Sequence, residues 1–172
     1  MSLAHSKRKS KNPGSENSAA PAIVRLLTQR NETLALAESC TGGLIAHQIT
    51  NVPGASKIFK GGIVAYSNES KDKFLGVRAD RLSRHGAVSK ETAADMANGA
   101  RKRFGADYTI SVTGIAGPTG GTLNKPTGTV FIAVAGPAGT VVERKLNRFS
   151  REKFKEVTAR QAMELLEKQI LS

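Results

Sequence analysis

The stretch from Leu34 to Gly43 constrains the fold of this chain more than any other. It reads Leu-Ala-Leu-Ala-Glu-Ser-Cys-Thr-Gly-Gly, an apolar run followed by a polar corner with two glycines. The compact apolar run predicts a buried strand over 33–37, and helical spacing of the next apolar residues predicts a helix over 42–50. Reactive side chains therefore stand at the corner 38–41, where a strand passes directly into a helix.

This corner has two interpretations. The backbone N–H groups at a helix start are unpaired and favour anions. A serine held there can attack an acyl group while those N–H groups receive the oxyanion, which makes Ser39 a candidate nucleophile. Alternatively, Ser39 or Thr41 caps the helix, as Ser and Thr commonly do. The thiol of Cys40 either competes with Ser39 as nucleophile or packs in the core.

The remaining pattern predicts further strand–helix units, then a hairpin and a closing helix. Helices are predicted over 20–29, after a cap at Ser67 or Asn68, over 89–103 and over 150–171; strands over 61–66, 106–112, 129–135 and 140–149; a polar connection over 78–86; and a hairpin turn over 136–139. This order predicts one three-layer α/β/α domain over 20–172, with a mixed, mostly parallel sheet and an antiparallel C-terminal hairpin.

Reactive residues stand at the ends of the first three predicted strands. Ser39 comes after the first strand, Tyr66 ends the second, and Thr113 follows the third. In open α/β sheets, ligands bind at the carboxyl ends of the strands. We therefore expect these side chains to share one crevice, with Lys71 beside it on the first turn of the next helix.

A base for Ser39 has few candidates. The histidines are His5, His47 and His85. They show no paired ligand spacing, so they give poor support to a metal site or to a serine–histidine–aspartate triad. A lysine remains, and Lys71 is the best placed. It must lose its proton to act, which burial favours by lowering its pKa. A solvated helix charge is the alternative interpretation of Lys71.

Composition excludes several classes of protein. Among 172 residues Cys40 is the one cysteine, which excludes a disulfide framework and favours a reducing, cytoplasmic setting. No apolar run reaches the ~18 residues of a membrane span. The net charge of +12 is scattered, apart from a basic segment over 1–19 that is predicted to be a flexible tail. An anionic small substrate explains this charge as well as nucleic acid does, and no nucleic-acid-binding signature accompanies it.

A glycine-rich loop follows the third strand over 113–128. Its segment 114–121 matches neither the Walker A pattern nor the dinucleotide-binding fingerprint. A loop with this glycine density can wrap a phosphate or let a planar ring approach the backbone. A simple crossover loop is equally compatible with the sequence.

Four motifs occur in order along the chain: Ala37-Glu-Ser-Cys-Thr-Gly-Gly43; Gly62-Ile-Val-Ala-Tyr-Ser-Asn68 with Lys71; Gly86-Ala-Val-Ser89; and Val112-Thr-Gly-Ile-Ala-Gly-Pro118 with Lys125-Pro-Thr-Gly-Thr129. Together they closely resemble the CinA C-terminal domain family, from about residue 20 to the end. Larger members carry an additional N-terminal domain, and this chain resembles the stand-alone form. Enzymatic members of the family are nicotinamide-mononucleotide deamidases.

The resemblance implies hydrolysis of the carboxamide of nicotinamide mononucleotide to nicotinate mononucleotide and ammonia, without a metal or other cofactor. It implies that Ser39 is the nucleophile and Lys71 the base and later proton donor. Tyr66 would assist in the same polar network, and Thr113 would line the site or help to polarise the amide. Expected substrate contacts are Thr41, Gly42, Gly43, Asn68, Gly114, Ile115, Ala116, Gly117 and Arg151.

Some features implied by the resemblance stay open. The family usually has a Gly-Asp-Arg type of loop before the last helix, whereas this chain reads Phe149-Ser-Arg-Glu-Lys153, so Lys153 or Lys155 can take the role of Arg151. The backbone of 41–43 receives either the oxyanion or the substrate phosphate. Family members are commonly homodimers, which the sequence does not test. The alternative function is a catalytically silent regulatory or partner-binding module.

Overall fold

A computed structural model describes residues 19–172, and a five-stranded sheet forms its centre. The strands are β1 (Leu34–Glu38), β2 (Phe59–Val64), β3 (Tyr108–Gly114), β4 (Thr129–Gly136) and β5 (Gly139–Leu146). Their spatial order is β2-β1-β3-β4-β5. β1 pairs in parallel with β2 and β3, whereas β4 pairs antiparallel with β3 and β5. The predicted α/β fold with a mixed sheet and a C-terminal hairpin is confirmed.

Helices cover both faces of the sheet. They are α1 (Ala20–Arg30), α2 (Leu44–Thr50), α3 (Asn68–Leu75), α4 (Ala79–His85), α5 (Lys90–Phe104) and α6 (Arg151–Leu171), with a 3₁₀ turn at Ala55–Lys57. One core joins α1, α2 and α6 to one face, and smaller cores join α3 and α5 to the other. Alternate residues of β1 serve both cores, so Leu34 and Leu36 face one side and Ala37 the other. All five residues of β1 are consequently buried, as expected for a central parallel strand.

Two sequence predictions need correction or restriction. The segment 78–86 is not a polar connection, because α4 lies within it. No residue of α4 is buried, so the sequence of this helix shows no apolar periodicity. An ion pair between Asp80 in the first turn and Arg84 in the last turn stabilises α4. The predicted flexible tail, 1–19, lies outside the described residues except for Ala19.

The close packing of α3 on α5 depends on Gly99. A Cβ added at Gly99 would lie 1.8 Å from the carbonyl oxygen of Leu75, the last residue of α3. Alanine normally gains about 1 kcal/mol over glycine inside a helix, whereas overpacking costs about 1–3 kcal/mol or more. Because the clash is with backbone atoms, which cannot move aside as a side chain can, we expect its cost to exceed the gain in helix propensity. Gly99→Ala should therefore lower the free energy of unfolding in urea titrations. Lys102→Ala, an exposed position of α5, is the control; a Gly99→Ala variant as stable as the original chain would contradict this expectation.

Candidate active site

The carboxyl ends of three parallel strands meet at one edge of the sheet, as predicted. A cavity of about 270 Å³ lies at this edge. Its lining comes from the ends of these strands, the start of α3, the loop before α5, the glycine-rich loop and the start of α6: Ser39, Cys40, Tyr66, Lys71, Ala87, Val88, Thr113, Gly114, Ile115, Ala116, Gly117, Thr119, Gly120 and Arg151.

Most of the predicted site residues share this cavity. It brings together the four expected catalytic side chains, the expected loop residues 114–117 and Arg151, but it is not lined by Thr41, Gly42, Gly43 or Asn68. The sequence pattern did not single out Ala87 and Val88 as site residues. The available signal was the motif Gly86-Ala-Val-Ser89. Capping of α5 explains Ser89 but not the two residues before it, so these could have been considered as site residues.

Ser39 and Lys71 form a direct pair inside the cavity wall. The Nζ of Lys71 donates to the Oγ of Ser39 at 3.2 Å and to the carbonyl oxygens of Ala65 and Tyr66 at 2.9 and 3.1 Å. Ser39 is 7% exposed and Lys71 only 1%. The solvated-charge interpretation of Lys71 is therefore wrong. Burial lowers the pKa of Lys71, which makes the amine a better base near neutral pH.

The start of α3 explains how a lysine reaches this position. Ser67 caps the helix by accepting a hydrogen bond from the backbone N–H of Ser70. Lys71 and Leu75 are four residues apart and therefore lie on the same face of α3, which is the buried face. The apolar contacts of Leu75 hold that face against α5, so Lys71 points inwards although most of its neighbours in sequence are polar.

The corner after β1 is occupied by the carboxylate of Glu38, which is 2% exposed. Its Oε2 accepts from the Oγ1 of Thr41 at 2.6 Å and from the N–H groups of Gly43 and Ile45 at 3.0 and 3.2 Å. Its Oε1 accepts from the N–H of Ala46 at 2.8 Å. Backbone N–H groups in the first turn of α2 thus already have a hydrogen-bond acceptor within the chain.

This arrangement changes what the corner offers to a substrate. The N–H of Gly43 is bound to Glu38, and the N–H of Gly42 donates to the carbonyl oxygen of Ser39. The expected anion-binding role of Gly42 and Gly43 therefore does not fit their geometry. Within residues 19–172, the N–H of Cys40 has no oxygen acceptor and Cys40 lines the cavity, so this N–H remains the corner's available donor. Thr41 is fully buried and does not reach the cavity.

Cys40 lines the cavity but also packs in the main core, and it is 5% exposed. Burial raises the pKa of its thiol to about 12; the nearby charge of Glu38 also raises this pKa, while its own backbone N–H, Lys71 and Arg151 act in the opposite direction. The thiolate is the reactive form of cysteine. A thiol that stays protonated at neutral pH is a poor nucleophile, which favours Ser39.

Arg151, the first residue of α6, joins two walls of the cavity. Its Nη1 donates to the carbonyl oxygen of Gly117 at 3.0 Å, and its Nη2 donates to the hydroxyl of Tyr66 at 2.6 Å. Lys153 pairs instead with Glu156 at 2.9 Å, and Lys155 lines a neighbouring cavity. Of the three cations considered for this role, Arg151 is the one that lines the cavity with Ser39.

Thr113 lines the cavity and lies near the end of β3. Its hydroxyl donates to the carbonyl oxygen of Ala87 at 2.7 Å, which ties β3 to the loop before α5. The hydroxyl hydrogen is therefore committed to the protein, so Thr113 lines the cavity without donating to it in this arrangement. Within residues 19–172, no group of three or more His, Cys, Asp or Glu side chains could hold a metal ion, and no helix there is long and apolar enough to span a membrane.

Fold and site together define a class: a three-layer α/β protein with a buried serine–lysine pair at the carboxyl edge of its parallel strands. The family model of the CinA C-terminal domain matches residues 16–170. The chain belongs to this family.

Relatives and solved structures agree with this assignment. The chain is 55% identical over 132 residues to a "Putative competence-damage inducible protein" of Halothermothrix orenii, covering 77% of this chain and 32% of that protein. It is 46% identical over 160 residues to a "CinA-like protein" of Thermosynechococcus vestitus, covering 91% and 38%. The chain thus spans about a third of the length of these curated relatives. The crystal structure of the competence/damage inducible protein CihA from Agrobacterium tumefaciens is 37% identical, with a TM-score of 0.86 over 90% of this chain and 94% of that one.

Proposed function

We propose that this protein hydrolyses the carboxamide of nicotinamide mononucleotide to nicotinate mononucleotide and ammonia. The observation that carries this proposal is the buried amine of Lys71, 3.2 Å from the Oγ of Ser39 at the wall of an open cavity. A serine activated by a neighbouring base is the arrangement used for acyl transfer. The choice of substrate rests on the resemblance to the enzymatic members of the CinA C-terminal domain family.

The proposed reaction has two stages. Lys71 accepts the hydroxyl proton of Ser39 as the Oγ of Ser39 bonds to the carboxamide carbon, giving a tetrahedral oxyanion near the N–H of Cys40. Lys71 then protonates the leaving nitrogen, the C–N bond breaks, and ammonia leaves. Water next attacks the ester formed on Ser39 while Lys71 takes its proton, and the same proton returns to Ser39 as the acid departs.

The direct test is ammonia release from nicotinamide mononucleotide by the purified protein. Free nicotinamide at the same concentration shows whether the nucleotide part is needed. We expect ammonia and nicotinate mononucleotide in equal amounts, without added metal and with a chelator present. No turnover by the folded protein would overturn the enzymatic assignment and favour a regulatory or partner-binding module.

Arg151 is the cation best placed to bind the substrate phosphate, since Glu38 already occupies the first turn of α2. A hydrogen bond to a charged group contributes about 1.5–3 kcal/mol, so we expect Arg151→Gln to raise KM for the mononucleotide about 10- to 150-fold. The Ki of free nicotinamide as a competing ligand should change far less. Lys153→Gln, which removes an exposed cation two residues away, is the matched control. An equal loss for both ligands would instead assign Arg151 to support of Tyr66 and the loop at Gly117.

A further inference from the structure

The corner between β1 and α2 contains a buried carboxylate that the proposed reaction does not use. Glu38 is the last residue of β1, and its four hydrogen-bond donors all lie in residues 41–46. Every partner is a donor, which is the pattern an ionised carboxylate satisfies. Glu38 forms no ion pair within residues 19–172. Its charge is therefore compensated by neutral groups of its own corner.

Backbone hydrogen bonds hold the candidate nucleophile, Ser39, in the same corner. The N–H of Ser39 donates to the carbonyl oxygen of Val112 at 3.1 Å, and its carbonyl oxygen accepts from Gly42 at 3.1 Å. Ser39 is thus held to β3 on one side and to the turn on the other, while Glu38 holds the chain that follows. Within this closed corner the Oγ of Ser39 lies 3.2 Å from the Nζ of Lys71.

The same carboxylate also acts electrostatically on the competing nucleophile, Cys40, two residues further along the chain. The charged groups that act on the thiol of Cys40 are Glu38 on β1, Lys71 on α3 and Arg151 on α6. The two cations favour a thiolate, and the carboxylate opposes it. If Glu38 were neutral, Arg151, together with Lys71 while it is protonated, would act on the thiol without a compensating negative charge.

We propose that Glu38 is a positioning residue that makes Ser39, and not Cys40, the nucleophile of this site. It fixes the corner that aligns Ser39 with Lys71, and it keeps a negative charge beside the neighbouring thiol. This inference rests on the proposed nucleophilic role of Ser39 but not on the identity of the substrate.

Acetylation by p-nitrophenyl acetate, located by peptide mass spectrometry, tests the inference directly. In this step a bond forms between the nucleophile and the acetyl carbon, the ester C–O bond breaks, p-nitrophenolate leaves, and Lys71 takes the proton of Ser39. We expect the acetyl group on Ser39 in the original protein. In Glu38→Gln we expect at least 10-fold slower labelling of Ser39 and new labelling of Cys40. Glu143→Gln, which removes a partly buried glutamate of β5, is the matched control and should label as the original protein does.

The pH profile of Cys40 alkylation by iodoacetamide separates this role from a merely structural one. Positioning and charge predict that the midpoint of the profile moves to lower pH in Glu38→Gln, in addition to the lower melting temperature expected from the lost hydrogen bonds to the carboxylate. A rise in rate that is equal at every pH, without a shift of midpoint, would indicate simple loosening and would overturn the inference. Labelling that stays on Ser39 at the original rate in Glu38→Gln would also overturn it.

A milder variant keeps the inference testable if Glu38→Gln does not fold. Thr41→Val removes one of the four donors to the carboxylate, so it should slow the labelling of Ser39 at least 3-fold; an unchanged rate would then overturn the inference. None of these readouts uses nicotinamide mononucleotide. Failure to hydrolyse that compound would therefore overturn the proposed function alone, whereas acetylation of Cys40 in the original protein would overturn the role given to Glu38.

Discussion

Ser39→Ala is expected to lower kcat for nicotinamide mononucleotide by about 10³-fold or more, the usual scale for removal of a catalytic nucleophile. The reason is that no other side chain in the cavity combines a hydroxyl or thiol with a base in contact: Lys71 donates to the Oγ of Ser39, whereas the thiol of Cys40 has a pKa raised to about 12 by burial. KM should change little, because the loop and Arg151 are untouched. Initial rates of ammonia release measure both quantities.

Cys40→Ala, made and assayed in parallel, is the matched control. It removes the adjacent side chain and leaves the Ser39–Lys71 pair in place, so kcat should stay within about threefold. Because Cys40 packs in the main core, a loss of stability of about 1 kcal/mol is expected from the smaller side chain. Loss of activity in Cys40→Ala alone would contradict the assignment of Ser39 and identify the thiol as the nucleophile.

Lys71→Met is expected to lower kcat about as much as Ser39→Ala, since the two side chains act as one unit and such effects are not additive. The double variant should therefore be no slower than either single variant. In the original protein, kcat should rise with pH, with a midpoint below the ordinary lysine value of 10.5, because burial lowers the pKa of Lys71 and the neutral amine is the active base. A flat profile through this range, or an additive double variant, would argue against a lysine base.

The same pKa shift predicts how stability depends on pH. Between the lowered pKa of Lys71 in the folded protein and its ordinary value near 10.5, the unfolded chain binds more protons than the folded one. Stability of the original protein therefore rises with pH across this window, since the cost of burying a charged amine is relieved as the amine deprotonates. The free energy of unfolding of Lys71→Met lacks this contribution. In urea titrations at several pH values, the free energy of unfolding of the original protein should therefore increase relative to that of Lys71→Met as pH rises towards 10.

Much of the architecture was predictable because its determinants are local. Apolar runs, helix caps such as Ser89, and turn glycines identify strands and helices within a few residues, and the order of these elements restricts the topology. The three reactive strand ends could be assigned to one crevice for the same reason, since parallel strands place their carboxyl ends at a common edge. α4 was missed because it buries no side chain and so leaves no periodic pattern.

The sequence by itself determined the class of fold, the family and the set of side chains available at the sheet edge. Only the tertiary structure decided what those side chains do there. It turned Lys71 inwards against Ser39, and it filled the start of α2 with the carboxylate of Glu38 instead of leaving it to a substrate. Both outcomes depend on contacts between different elements, or on the direction of one side chain in a tight corner. Such contacts are set by packing in three dimensions, and the local periodicity of the sequence carries no information about them.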